Sequence, residues 1–159
     1  MRYSFSLVPS APLSAFGDTI AKAEEWGYDL AWAPDQGFMY DPFVALSYLT
    51  TRTDKISLGV GITNPFQRHP MQIARAAVAL DDLRPGGFIL GLGAGEKRRI
   101  RDRVGAPVGP FIPIISDTMR TLRSLFAGEK VSISNGVFEL DDVGLEIKNP
   151  PNVPMFLAT

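Results

Sequence analysis

The sequence predicts a parallel α/β architecture, and three observations carry that prediction. Short apolar runs alternate with longer amphipathic segments, the alternation repeats along the chain, and the apolar runs are nearly continuous rather than alternating. Repeated strand–helix units imply parallel strands joined by right-handed crossovers. An open doubly wound sheet and a (β/α) barrel both satisfy this pattern, and periodicity does not separate them. A complete barrel takes about 250 residues, more than the 159 of this chain.

Taken in order, residues 5–8 read as a first strand. Leu13, Phe16, Ile20, Ala23 and Trp26 then recur near helical spacing, and Gly27 suits the stop. Residues 30–33 form a second strand. Asp41 caps a helix that opens on Pro42 and runs to about Thr51. Residues 56–61 are a third strand, followed by a loop over 62–70 closed by prolines. An Ala-rich helix over 71–83 is broken by Pro85-Gly86-Gly87. Residues 88–92 are a fourth strand, leading into Gly93-Ala94-Gly95-Glu96. The basic, then Gly- and Pro-rich stretch 97–113 reads as a loop or insertion. A helix over 115–126 precedes a hairpin over 131–140 with Asn135-Gly136 at its centre. Residues 154–159 read as a fifth strand.

Composition narrows the function classes. Sixteen basic against 17 acidic side chains leave a net charge of −1, which gives no electrostatic reason to expect nucleic acid or a membrane as partner. With no cysteine, a disulfide scaffold, a thiolate nucleophile and a Cys-ligated metal are excluded; the single histidine, His69, rules out a His-rich metal cluster. No apolar stretch is long enough to cross a bilayer, and a cytoplasmic protein with a small-molecule substrate is the default expectation.

The polar residues that could carry chemistry cluster in topology rather than in sequence. Asp35 and Gln36 follow the second strand, Thr63 and Asn64 the third, and Glu96 the fourth. All of them fall at the carboxyl ends of parallel strands, the rim on which α/β enzymes build their sites. Each also has a structural reading. Asp35 and Asn64 are good turn residues, Glu96 could cap a helix, and His69 before Pro70 could bond a nearby carbonyl. The Gly91-Leu92-Gly93-Ala94-Gly95-Glu96 run is no dinucleotide fingerprint. It follows the fourth strand, and a carboxylate stands where the third glycine belongs. Its glycines instead suit close backbone approach to a flat ring, with Glu96 at the ring's edge.

These loops resemble the luciferase-like monooxygenase superfamily, above all its deazaflavin-dependent branch, which includes methylenetetrahydromethanopterin reductases. The likeness is carried by Tyr28 through Gln36, Asp41-Pro42-Phe43, Lys55 through Pro65, Arg68-His69-Pro70, and Gly91 through Glu96. The resemblance implies a luciferase-like TIM (β/α)8 barrel, of which residues 1–159 would be the N-terminal portion of a single domain, about the first five β/α units. It implies hydride transfer between coenzyme F420 and an organic substrate, methylenetetrahydromethanopterin being the sharpest version. The alternatives are an FMN-dependent monooxygenase and a shortened, non-catalytic relative that binds a flavin or assembles with a partner.

By the same resemblance Asp35 and Glu96 are the catalytic candidates, Glu96 as a proton-transfer acid. Gly61, Ile62, Thr63, Asn64, Gly93, Ala94 and Gly95 would face the cofactor, and Gln36 and His69 the substrate. A non-proline cis peptide is implied at Gly61–Ile62, bulging against the ring. Gln36 departs from the branch, which usually has an aromatic or histidine there. The first and fifth strands would leave open edges, so a homo-oligomer or the remainder of a barrel is the expected partner.

Overall fold

A computed structural model describes residues 1–9, 12–105 and 109–158, with only the backbone at Lys97 and Arg103. In chain order the first elements are β1 (Ser4–Ser6), α1 (Leu13–Glu25), β2 (Leu30–Ala33), α2 (Pro42–Leu49), β3 (Ser57–Thr63), α3 (Pro70–Leu83) and β4 (Phe88–Leu92). They are followed by the short α4 (Lys97–Arg99), which continues as a π-helical turn over Ile100–Val104, and by α5 (Phe111–Phe126). The last strands are β5 (Val131–Ser134), β6 (Glu139–Val143) and β7 (Met155–Leu157).

Five strands form one parallel sheet in the order β1-β2-β3-β4-β7. That order decides between the two architectures the sequence left open. A doubly wound sheet reverses direction at a switch point, whereas this sheet grows one way only, each new strand adding beyond the last. It is the wall of a parallel α/β barrel in part. The strands β5 and β6 pair separately and antiparallel.

One face of the sheet carries the core. Ala31, Ala33, Leu58, Val60, Phe88, Leu90 and Leu92 pack with Ile20, Leu46, Leu49, Ile73 and Leu122 from the covering helices, in a single buried cluster. Each fully buried Leu or Ile there contributes about 1.5–3 kcal/mol relative to exposure. The alternate positions face the other way. Trp32 lies across Gly59 and Gly61, where an added Cβ would come within 2.5 and 2.8 Å of its ring. Phe156 meets the indole edge-on, with centroids 6.1 Å apart.

Local signals explain most boundaries. Asp41 caps α2 by accepting from the Phe43 and Val44 amides. Gly27 takes φ +82° after α1, and Tyr28 N–H closes on the Ala23 carbonyl at 3.0 Å. Other expectations need correction: β1 spans Ser4–Ser6 rather than residues 5–8, and the hairpin runs on past 140 to Val143. β3 continues through Thr63 instead of ending at Gly61, because it keeps pairing with β4 past an irregularity. Helix α5 starts at Phe111 rather than 115, since Pro113 in its first turn lacks an N–H that would have no partner there anyway. The stretch 97–113 is helical over much of its length, with residues 106–108 outside the described residues, as is Thr159 at the end of the expected fifth strand. Among the described residues no helix is long and apolar enough to cross a membrane.

A satellite cluster sits away from the main core. Phe66, Ile100, Ile114 and Phe138 are buried together, with Phe111, Ile133 and Val137 against them. It ties the β3–α3 loop and the π-helical turn to α5 and the hairpin, and thereby fixes two of the loops that build the site.

Candidate active site

The site begins with a register change. Val60 pairs with Leu90 and Thr63 with Leu92, so β3 spends one residue more than β4 over the same interval. The Gly61–Ile62 peptide within this bulge is cis, as the resemblance implies. Neighbouring backbone holds it on both sides: Asp35 N–H donates to the Ile62 carbonyl and Gly93 N–H to that of Thr63, each at 3.2 Å. The glycines of β4 and its exit make room. A Cβ on Gly91 would lie 2.4 Å from the Val60 carbonyl oxygen, and one on Gly93 2.4 Å from Ile62 Cδ1.

Around the bulge, three loops converge on a cleft of about 260 Å³ lined by Asp35, Gln36, Gly61, Ile62, Asn64 and Gly95, with Pro34, Gln67, Glu96, Arg99 and Ile100 completing the wall. A larger depression of about 440 Å³ lies at the amino ends of the strands, beside Ser4, Leu30 and Ser57. The smaller cleft is the candidate, because it stands at the carboxyl ends, where barrel enzymes place their chemistry.

Asp35 is nearly sealed, its side chain 7% exposed. Its Oδ2 accepts the Thr63 hydroxyl at 2.8 Å and its Oδ1 the Gly37 amide at 3.3 Å. Arg68 Nε stands 3.7 Å from Oδ2. The same guanidinium donates to Asp41 and lies 4.7 Å over the Phe43 ring. Arg68 Nε itself is buried without a hydrogen-bond partner, as is Gln67 Oε1.

Asn64 is 2% exposed. Its Oδ1 accepts from the Phe66 and Gln67 amides, both at 3.1 Å. That pairing fixes which way the carboxamide points and leaves its NH2 as the remaining polar group. A Cβ on Gly95 would come 3.1 Å from that nitrogen and 2.9 Å from Ile100 Cδ1, and Gly95 takes φ +67°. Only glycine therefore serves there.

Glu96 Oε2 lies 3.1 Å from Arg99 Nε. Arg99 also donates to Gln36 Oε1 and stands over the Phe38 ring at 5.8 Å. A polar chain Gln36–Arg99–Glu96 thus links the loop after β2 to the loop after β4.

The structure brings Asp35, Gln36, Gly61, Ile62, Asn64, Gly95 and Glu96 together on one cleft. Thr63 is fully buried beneath it and spends its hydroxyl on Asp35. Gly93 faces Ile62, and neither it nor Ala94 is among the lining residues. His69 is elsewhere: its Nδ1 caps α3 by accepting from Met71 N–H at 3.2 Å, and its ring meets Phe138 edge-on. Arg99, Gln67 and Ile100 were not singled out from the sequence. The Glu96–Arg99 spacing of three residues was the available signal for the first, since such positions face each other on a helix. Among the described residues no group of three His, Cys, Asp or Glu side chains could hold a metal.

Comparison with known proteins identifies the family to which the chain belongs. The sequence profile of the luciferase-like monooxygenase family matches residues 3–159. The 5,10-methylenetetrahydromethanopterin reductase of Methanolobus tindarius is 28% identical over 158 residues, covering 99% of this chain and 48% of that protein. The reductase of the same name from Methanopyrus kandleri is 35% identical over 112 residues, 70% of this chain and 32% of that one. The solved structure of the coenzyme F420 dependent tetrahydromethanopterin reductase from M. kandleri superposes with a TM-score of 0.86 at 25% identity. It covers 98% of this chain and 49% of that one. The chain spans about half the length of the curated relatives it matches.

Proposed function

Since the chain belongs to the luciferase-like monooxygenase family, we propose that its cleft binds the ring of a deazaflavin, coenzyme F420, and serves hydride transfer to or from an organic substrate. The observation that carries this reading is the convergence of Asp35, Ile62, Asn64, Gly95 and Glu96 on one cleft around the β3 bulge. Reductases named for methylenetetrahydromethanopterin are among the relatives, and a one-carbon pterin of that kind is the sharpest substrate proposal.

The residues present fit a flat heterocycle. Ile62 offers an apolar surface, Gly95 bare backbone at the cleft wall, and Asn64 a donor of fixed orientation for a ring carbonyl. The cleft's 260 Å³ lies just under the range of about 300–1,000 Å³ that encloses a complete drug-sized ligand. It suits the ring and not the whole cofactor. A bound deazaflavin supplies the hydride acceptor or donor.

The chain's own groups do the rest. Thr63, Gly37 and Arg68 hold the Asp35 side chain in one orientation at the wall of the cleft. Glu96, exposed at the mouth and paired with Arg99, is the carboxylate free to exchange a proton with solvent and substrate. Titration of the purified protein with F420 and with FMN, followed by absorbance, tests the reading. F420 binding is expected; tight FMN binding with no deazaflavin binding overturns it in favour of flavin-dependent monooxygenation.

A further inference from the structure

Arg99 points to the class of substrate. We propose that its guanidinium anchors an anionic group, so that the cleft selects organic carboxylates or phosphates carried on an apolar body. This rests on the cleft being the redox site proposed above.

Among the described residues lining the cleft, Arg99 is the one cation. Arg68 stands behind it, engaged with Asp35, Asp41 and the Phe43 ring. Arg99 borders both the cleft and an adjoining depression lined by Glu96, Arg98 and Asp102, so it sits where the two meet. Glu96, Gln36 and the Phe38 ring hold the guanidinium in place. These bonds engage two of the five N–H donors that an arginine carries.

The Glu96 pair is weak competition. Its side chains are 41% and 62% exposed, and an ion pair so open to water is worth about 1 kcal/mol or less. A planar carboxylate or a phosphate that takes two parallel N–H bonds from the fork makes a stronger, better-oriented contact. Displacing Glu96 from Arg99 is therefore cheap, and it would free that carboxylate beside the bound substrate.

The apolar half of the requirement comes from the neighbouring loop. Phe38, Met39 and Tyr40 are 43%, 39% and 50% exposed and follow directly on Asp35, Gln36 and Gly37. Phe38, whose ring centroid lies 5.8 Å from the Arg99 guanidinium carbon, brings an apolar surface beside the anchoring cation that suits a ligand's body. Immediately after Arg99 the chain turns π-helical over Ile100–Val104, a widening of the helix that recurs at functional sites.

Calorimetric titration of the purified chain with benzoate, phenyl phosphate and benzyl alcohol tests this. Benzoate or phenyl phosphate should bind saturably and about tenfold or more tighter than benzyl alcohol, the gain of roughly one charge-assisted contact. Arg99→Gln should abolish that preference and Arg99→Lys retain part of it, while Arg98→Gln keeps it whole. Equal affinity for benzoate and benzyl alcohol, no saturable anion binding, or an unchanged preference in Arg99→Gln overturns the proposal. Parallel titrations with F420 and FMN separate the two readings. Cofactor binding without anion preference sinks this inference alone; anion preference without cofactor binding sinks the redox reading and leaves the anion site standing.

Discussion

Thr63 donates its hydroxyl to Asp35 Oδ2 at 2.8 Å, from the last residue of β3 to the loop that leaves β2. The two strands are already paired side by side, so this bond extends their union one step past the sheet and onto the rim. It also sets the direction of the proton. With its hydrogen committed to the carboxylate, Thr63 keeps Asp35 an acceptor, and Gly37 N–H on the other oxygen does the same.

Replacing Thr63 by Val keeps the shape and removes the donor. Asp35 would remain 93% sealed with one partner fewer, and a hydrogen bond to a charged group is worth about 1.5–3 kcal/mol. Thr63→Val should lose stability in that range, measured by denaturant unfolding. A loss below about 0.5 kcal/mol, the scatter of surface substitutions, would mean that the bond matters little to the fold.

Asn64→Asp isolates a single atom. The carboxylate can still accept from the Phe66 and Gln67 amides, so the loop should keep its form. The NH2 beside Gly95 becomes an oxygen. A ring carbonyl that Asn64 had bonded would then face a negative charge, and F420 affinity should fall about tenfold or more. Retained affinity, measured by absorbance titration, would remove Asn64 from the ring-binding set.

Glu96→Gln tests proton transfer in the same cleft. The amide can still accept from Arg99, so positioning is largely preserved, but no ionisable proton is left. Turnover should drop about 10²-fold or more if Glu96 is the proton-transfer group. Steady-state hydride transfer with F420 reads this, and an unchanged rate would reduce Glu96 to a partner of Arg99.

What the sequence disclosed follows from how local each cause is. The strands β2 and β4, the cap at Asp41 and the stop at Gly27 each depend on a few adjacent residues, and they stand where propensity puts them. The barrel order was not legible from periodicity, because it is a relation among distant strands; the family resemblance supplied it. The β3 bulge was invisible to pattern as well, since Gly61 and Ile62 look like the end of one apolar run and the start of a loop. Arg99 was lost for a different reason. It lies in a short α-to-π segment whose placement depends on Ile100 joining Phe66, Ile114 and Phe138 in a satellite core, a long-range event without which its three-residue spacing from Glu96 does not place it at the cleft. His69 shows the converse. Its position in a motif drew attention, while the helix beginning at Pro70 uses it as a cap.

The far end of the strands predicts a pH dependence of stability. Glu24 accepts the backbone N–H groups of Asp54, Lys55 and Ile56, and so pins the turn that feeds β3 to the end of α1. Burial pushes its carboxyl up, but the Ile56, Lys55 and Asp54 amides and the charge of Arg84 outweigh it, and the carboxyl rests below its ordinary value of 4.5. A carboxyl held lower in the folded state than in the unfolded chain stabilises the fold wherever it is ionised in both. That contribution should be fully present above the ordinary carboxyl range and fade as pH falls through 4.5 toward the lowered folded value. Glu24→Gln removes the titrating group and keeps only one acceptor, so it should be less stable than the wild type at neutral pH. The gap should narrow on acidification, and unfolding curves for both proteins between neutral and acidic pH measure it. A gap that stays constant or widens at low pH would mean that the ionised carboxylate is not what ties this turn down.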